Sequence, residues 1–230
     1  MNKLFDLSNK TAIVTGGGNG IGKGCSLMLA SHGANVVVSD LKIEDAEAVA
    51  DLIKTNGGKA IAVSCNVTKD EDLVHLVEQA ISTFGTIEIL VNNAGGGGGG
   101  RENPNSISVD DFAWRFQLNV YSAWRLCQLC VTYMKKAKYG SIINITSMSS
   151  INKSPNMSAY AASKAAMNHM TANLAFDFGP EVRINAVGPG AIKTAALASV
   201  LTPEIEKTML SHTPIKRLGE VEDIAGAVLY

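Results

Sequence analysis

The sequence predicts one α/β domain over residues 1–230, a doubly wound parallel sheet with helices on both faces. Short β-branched apolar runs alternate with helical stretches along the whole chain, and that repetition predicts parallel strands joined by right-handed crossovers. Most of these runs are continuous rather than alternating in polarity, as strands covered on both faces are. A glycine-rich turn separates the first strand from the first helix, where such sheets bind ligands beyond their strand ends.

Residues 11–15 (TAIVT) form the first predicted strand, followed by the turn and a helix over 21–32 that Gly33 closes. The second strand covers 35–39 and ends at Asp40, and the next helix, 43–56, stops at Gly57-Gly58. A third strand over 59–64 leads to a helix over 70–84, with Gly85 just past its end. Glycine after a helix supplies the left-handed residue that commonly ends it. Strand 87–91 precedes the glycine run 95–100, and a long helical pattern then fills 109–136. Strand 141–145, helix 161–178, strand 183–187 and a helix over 221–229 complete the pattern. No linker, repeat or charge block divides the chain.

Composition narrows the function. Apolar residues make up 46% and charged residues 18%, with a formal charge of −1, which excludes intrinsic disorder. The balance of 20 basic and 21 acidic residues lacks the excess of a nucleic-acid or membrane-surface binder. Apolar runs fall far short of the roughly 20 residues of a membrane span, and Lys3, Asp6 and Lys10 interrupt any signal-peptide core. A cytoplasmic protein is expected. Cys127 and Cys130 form a C-x-x-C inside a helical pattern without partner ligands, so core packing is the favoured reading. His32, His75, His169 and His212 lack ligand spacing, and no metal site is expected.

The strand ends hold the candidate chemistry. Gly16, Gly20 and Gly22 let backbone amides approach a pyrophosphate at a helix N-terminus, with Asn19 and Ile21 in the same turn. Asp40 stands 20 residues after Gly20, where a carboxylate accepts from adenosine ribose hydroxyls and repels a 2′-phosphate. NAD is therefore expected over NADP. Asn66, beside Val67, could meet the adenine edge or simply build a turn. Asn93, Ala94 and Gly95 follow the fourth strand with small side chains that admit a cofactor. Tyr160 and Lys164 share one helix face, and the lysine charge should favour tyrosinate, readying the phenol for proton exchange with an alcohol.

Together, Thr15-Gly16-x-x-x-Gly20-x-Gly22, Asn92-Asn93-Ala94-Gly95, Asn119, Ser147, Tyr160-x-x-x-Lys164 and Pro189-Gly190 with Thr194 resemble the short-chain dehydrogenase/reductase family. The likeness runs from about Leu7 to the last residue, and it implies a Rossmann-like fold and hydride transfer between NAD(H) and a secondary alcohol or ketone. It makes Tyr160 the general acid/base and Ser147 the partner of the reacting oxygen. Lys164 would bind the nicotinamide ribose, and Asn119 would position a water linking Lys164 to solvent. Pro189, Gly190, Ile192 and Thr194 would hold the carboxamide. Asn66 departs from the Asp that many members carry. The family also continues with a further strand and tail, so the chain is expected to lack that C-terminal segment.

Residues 92–98, 145–166 and 189–219 are similar to members that oxidise hydroxysteroids, which implies the 7α-hydroxyl of a bile-acid steroid as the reacting group. Gly97, Ser147, Asn152 and Tyr160 are the expected substrate contacts. Met148, Ile151 and Met157 flank the catalytic residues, while Ile192, Ala195, Ala196, Leu197, Val200 and Leu201 would form an apolar flap. A 3-oxoacyl-thioester reductase is the alternative, disfavoured by Asp40 because those enzymes usually prefer NADPH. A dinucleotide-binding sensor without turnover would have no need of the Tyr/Lys pair. The helices over 109–136 and 161–178 carry Trp114, Phe116, Trp124, Leu126, Met170, Leu174 and Phe176 around more than one stripe, which predicts a second partner surface and a homotetramer.

Overall fold

The computed structural model describes residues 3–97, 102–211 and 213–230. Six parallel strands lie in the order β3-β2-β1-β4-β5-β6. They are β1 (Thr11–Thr15), β2 (Asn35–Asp40), β3 (Lys59–Ser64), β4 (Ile89–Asn92), β5 (Gly140–Ile145) and β6 (Val182–Val187). The strand order switches between β1 and β4, and this switch opens the crevice in which such sheets bind ligands.

Successive side chains of a strand point to opposite faces, and here both faces are covered. Ala12, Val14, Val36, Val38, Ile89, Val91, Ile143 and Ile145 enter one core with Leu29, Val49 and Ile53 from the helices. Ile13, Val37, Leu90 and Ile142 enter the other with Leu73, Leu76, Leu126 and Met134. Continuous apolar runs follow from this double burial. The first face is packed by α1 (Gly20–Ser31), α2 (Ile43–Thr55) and α9 (Val221–Leu229). The second is packed by α3 (Asp70–Phe84) and α5 (Ser122–Ala137).

The helical pattern over 109–136 is one rod with a fault in it. α4 (Val109–Phe116) passes into a π turn (Gln117–Tyr121) before α5 begins. Such a turn inserts extra backbone, and π turns are frequent at functional sites. Ser108 caps α4 through a bond from Asp111 N at 3.0 Å. The catalytic helix α6 (Ser158–Phe178) starts three residues before the expected position 161. α7 (Ala195–Ala198) lies within the expected apolar flap, α8 (Pro203–Ser211) is a short helix beyond it that the sequence did not announce, and neither contains a buried residue.

Cys127 and Cys130 are buried without forming a disulfide. Burial raises both thiols, Cys127 to about 12. They serve as small core residues facing β4, with Asn92 Nδ2 at 3.5 Å from Cys127 Sγ. Among the described residues no helix is long and apolar enough to cross a membrane.

Candidate active site

The turn between β1 and α1 is built by close backbone approach. Gly16 has φ +60°, and a Cβ at Gly22 would lie 2.0 Å from the Gly16 carbonyl oxygen. Asn93 fixes the turn from β4: its Nδ2 donates to Thr15 O at 2.9 Å and Gly16 O at 3.0 Å. Thr15 Oγ1 in return accepts from Asn93 N at 3.1 Å and Ala94 N at 3.0 Å. Asn19, the residue before α1, makes no side-chain cap bond to the helix, and its amide donates to Asp45 Oδ2 at 2.8 Å. The first-turn amides around Gly20, Ile21 and Gly22 are thereby left to an anion, which a helix N-terminus favours.

Asp40 ends β2 beside this turn, and its Oδ2 accepts from Gly18 N at 3.0 Å. Gly20 faces the far side of the crevice: a Cβ there would meet Thr194 Cγ2 at 3.3 Å, whereas Gly190 faces open space. Thr194 Oγ1 accepts from Leu197 N at 3.2 Å, and Pro189 O accepts from Met148 N at 2.9 Å. These residues form a cleft with amide donors at one end and a carboxylate at the second strand, and they fit a dinucleotide lacking a 2′-phosphate.

Three expected cofactor residues are placed differently. Asn66 Oδ1 accepts from Thr68 N at 3.0 Å and Thr68 Oγ1 at 2.7 Å, so its oxygen builds a turn. Val67 packs into the second core and Ile192 into the first, so their side chains are spent on packing and only their backbones remain to line the cleft.

Beyond β5 and within α6 stand the expected catalytic residues. Ser147 takes an extended conformation, its Oγ accepts from Ser149 N at 3.1 Å, and its hydroxyl lies close enough to the Tyr160 phenol to hold it down in part. Lys164, one helical turn beyond Tyr160, is 4% exposed and donates to Ile145 O at 2.8 Å. Asn119 sits in the π turn, 1% exposed, gripping Gly96 from both sides at 3.0 Å and donating to Ser163 Oγ at 3.0 Å. A Cβ on Gly95 would come 2.7 Å from Asn119 Oδ1 and 3.2 Å from Lys164 Nζ, so small residues here let the loop pass between the two.

The electrostatics correct one expectation. Burial pushes the Tyr160 phenol up, the Ser147 bond lowers it in part, and the Glu102 charge raises it. Lys164 is not among the causes. Its ammonium is turned to Ile145 O, and burial brings it down to about 8. Desolvation outweighs the attraction expected from spacing on one helix face.

Among the expected substrate contacts, Gly97 takes φ +109°, and a Cβ there would meet Arg115 Cδ and Nε at 2.9 Å. Exposed Asn152 lines a cleft of about 370 Å³ beside α6, with Glu102, Ile151, Lys153, Met157 and Ala161. Ser147 and Tyr160 do not line that cleft, whereas Ser149 and Ala161, close by in sequence, do. The expected widening by the run 95–100 falls partly outside the described residues, as does His212.

Sequence reasoning missed Glu102. It is 3% exposed, and its Oε2 accepts from Ala159 N at 2.9 Å and Tyr160 N at 3.1 Å. Its Oε1 faces Arg115 Nε at 3.3 Å. The residue lies 57 positions before Ala159, and no local spacing announces that contact.

A glycine cradle, a carboxylate at the end of the second strand and a Ser/Tyr/Lys/Asn group at the strand ends define a dinucleotide-dependent oxidoreductase site. A family model described as enoyl-(acyl carrier protein) reductase matches residues 16–230. The chain belongs to the short-chain dehydrogenase/reductase family, an oxidoreductase family. It is 48% identical over 225 residues to the 7alpha-hydroxysteroid dehydrogenase of Escherichia coli K12, covering 97% of this chain and 87% of that protein. A protein of the same name from Clostridium sardiniense is 37% identical over 226 residues, with 97% and 86% covered. A solved 7 alpha-hydroxysteroid dehydrogenase complexed with NADH and 7-oxo glycochenodeoxycholic acid superposes with a TM-score of 0.94 at 47% identity, over 100% of this chain and 90% of that one.

Proposed function

We propose that the protein oxidises the 7α-hydroxyl of a bile-acid steroid with NAD+, and reduces the ketone in reverse. The observation that carries this is the gathering of Ser147, Tyr160 and buried Lys164 at the ends of β5 and α6, with the Ser147 hydroxyl acting on the Tyr160 phenol and Lys164 one helical turn along. Likeness to 7alpha-hydroxysteroid dehydrogenases supplies the substrate.

Bound NAD+ supplies the hydride acceptor and a positive ring charge. Gly16, Gly20, Ile21 and Gly22 would hold its pyrophosphate, and Asp40 its adenosine ribose. Asn93, Ala94, Gly95, Pro189, Gly190 and Thr194 would line its path. Ser147 Oγ orients the substrate oxygen, and Tyr160 Oη takes the hydroxyl proton as the carbonyl forms. Burial raises the phenol, so Tyr160 accepts that proton only as tyrosinate, with its own proton already released to solvent, and the positive ring of bound NAD+ would favour that form. Lys164 would bind nicotinamide-ribose hydroxyls. Asn119, locked to Gly96 and Ser163, keeps the loop after β4 against α6. The apolar, unburied α7 (AALA) suits a rigid apolar substrate.

Initial rates with cholate test this reading, with deoxycholate as the control lacking the 7-hydroxyl. NAD+ reduction is expected with cholate alone; turnover of a 3-oxoacyl thioester without any of cholate would replace the steroid reading. Asp40 adds a second expectation. A like charge near its carboxylate costs on the order of 1–3 kcal/mol at protein surfaces. Asp40→Ser should therefore cut the NAD-to-NADP ratio of kcat/KM by about tenfold or more. An unchanged ratio would remove Asp40 as the discriminator.

A homotetramer also belongs to this reading. Tyr121, Trp124 and Phe176 are 53%, 46% and 90% exposed on α6 and the rod that α4 and α5 form. Leu126, expected on the same surface, is instead buried in the core. Further copies would cover the exposed aromatics. Light scattering should give a mass about four times that of the chain, and a monomer at micromolar concentration would defeat the assignment.

A further inference from the structure

We propose that Glu102 is a positioning residue for proton transfer, a remote carboxylate that caps the catalytic helix and fixes Tyr160 relative to the loop after β4. The inference rests on the oxidoreductase reading above. The local sequence leaves α6 without a cap of its own: Met157 precedes it and makes no side-chain bond to it. Glu102 takes that place from 57 residues away, binding the amides of Ala159 and of Tyr160 itself. Its own backbone N–H donates to Asn156 O at 2.9 Å, so the two segments clasp each other.

A carboxylate this buried needs donors and a counter-charge. It has the helix N-terminus on one oxygen and Arg115 on the other. Arg115 comes from α4, directly before the π turn that carries Asn119, and its Cδ and Nε pack against Gly97. One carboxylate thus joins the Gly97 turn, the rod bearing Asn119 and the first turn bearing Tyr160. Beside the phenol stand Ser147 and Glu102, whose charge works against ionisation, while Lys164 of the same helix is turned to Ile145 O. Exposed Lys153 lines the same cleft as Glu102, and Arg115 is the cation bonded to it.

The test separates the cap from the charge. Glu102→Gln keeps an oxygen for the two amides and removes the negative charge; Glu102→Ala removes both. In the oxidation direction, the acidic limb of the kcat/KM profile should move down by about half a pH unit in E102Q, with the alkaline plateau nearly kept. E102A should lose about tenfold in kcat while KM for NAD+ stays near wild type. An E102Q profile that overlays wild type, with only the melting temperature lowered, would make Glu102 a structural cap and overturn the proposal. If wild-type protein fails to turn over cholate, the steroid reading fails separately. Ultraviolet titration of Tyr160, with Y160F backgrounds subtracted, then still reads the shift in E102Q, and an unmoved tyrosine overturns the inference.

Discussion

Tyr160→Phe is expected to lower kcat/KM about a thousandfold while NAD(H) affinity and folding hold. General acid/base groups typically contribute a hundredfold to ten-thousandfold, and a thousandfold corresponds to about 4 kcal/mol of transition-state stabilisation. The Ser147 hydroxyl beside the phenol also accepts from Ser149 N and therefore keeps its orientation when the phenol is gone. The ring itself is retained, so packing changes little. The pH profile gives the sharper check: the acidic limb that Tyr160 creates should vanish in Y160F. A variant with a near-normal rate, or a surviving limb, would move the proton transfer to another group. Ser147→Ala should cost less, because it removes an orienting hydroxyl and leaves the proton acceptor in place.

What could be read from the sequence follows the range of the interactions involved. β1 and β2 were legible because every second residue enters a different core, which leaves an unbroken apolar run. The glycine turn and the Tyr160/Lys164 pair were legible because their geometry is set within a few residues. The π turn at Gln117–Tyr121 was not legible, since a helical rod and a helical rod with inserted backbone share one hydrophobic pattern. Asn66 was ambiguous for a local reason: the oxygen that could meet adenine is also well placed to close a turn on Thr68. Glu102 and the direction of the Tyr160 shift were hidden for a common reason. Both depend on how deeply a polar group is buried and on which distant group lies beside it, and neither quantity has a spacing rule.

Lys164 shows what the site costs the fold. A lysine held at about 8 in the native protein and near 10.5 when unfolded is destabilising while it is charged. Between those two values the unfolded chain binds a proton that the native protein does not, so stability rises with pH across that window. Below the window the full cost is present, on the order of 3 kcal/mol, and above it none remains. Lys164→Met keeps similar length, removes the charge and loses the bond to Ile145 O, which is worth about 1 kcal/mol. In cofactor-free protein the variant should therefore gain on the order of 2 kcal/mol at neutral pH. Urea unfolding should find K164M more stable than wild type at pH 7, with the two converging by about pH 10 as the wild-type lysine loses its proton. Turnover should move the opposite way, falling at least a hundredfold, because the buried ammonium is the charge nearest the nicotinamide ribose in the proposed mechanism. A less stable K164M at pH 7 would mean that the bond to Ile145 outweighs desolvation, and the lysine would then hold β5 to α6 rather than burden the fold for the sake of chemistry.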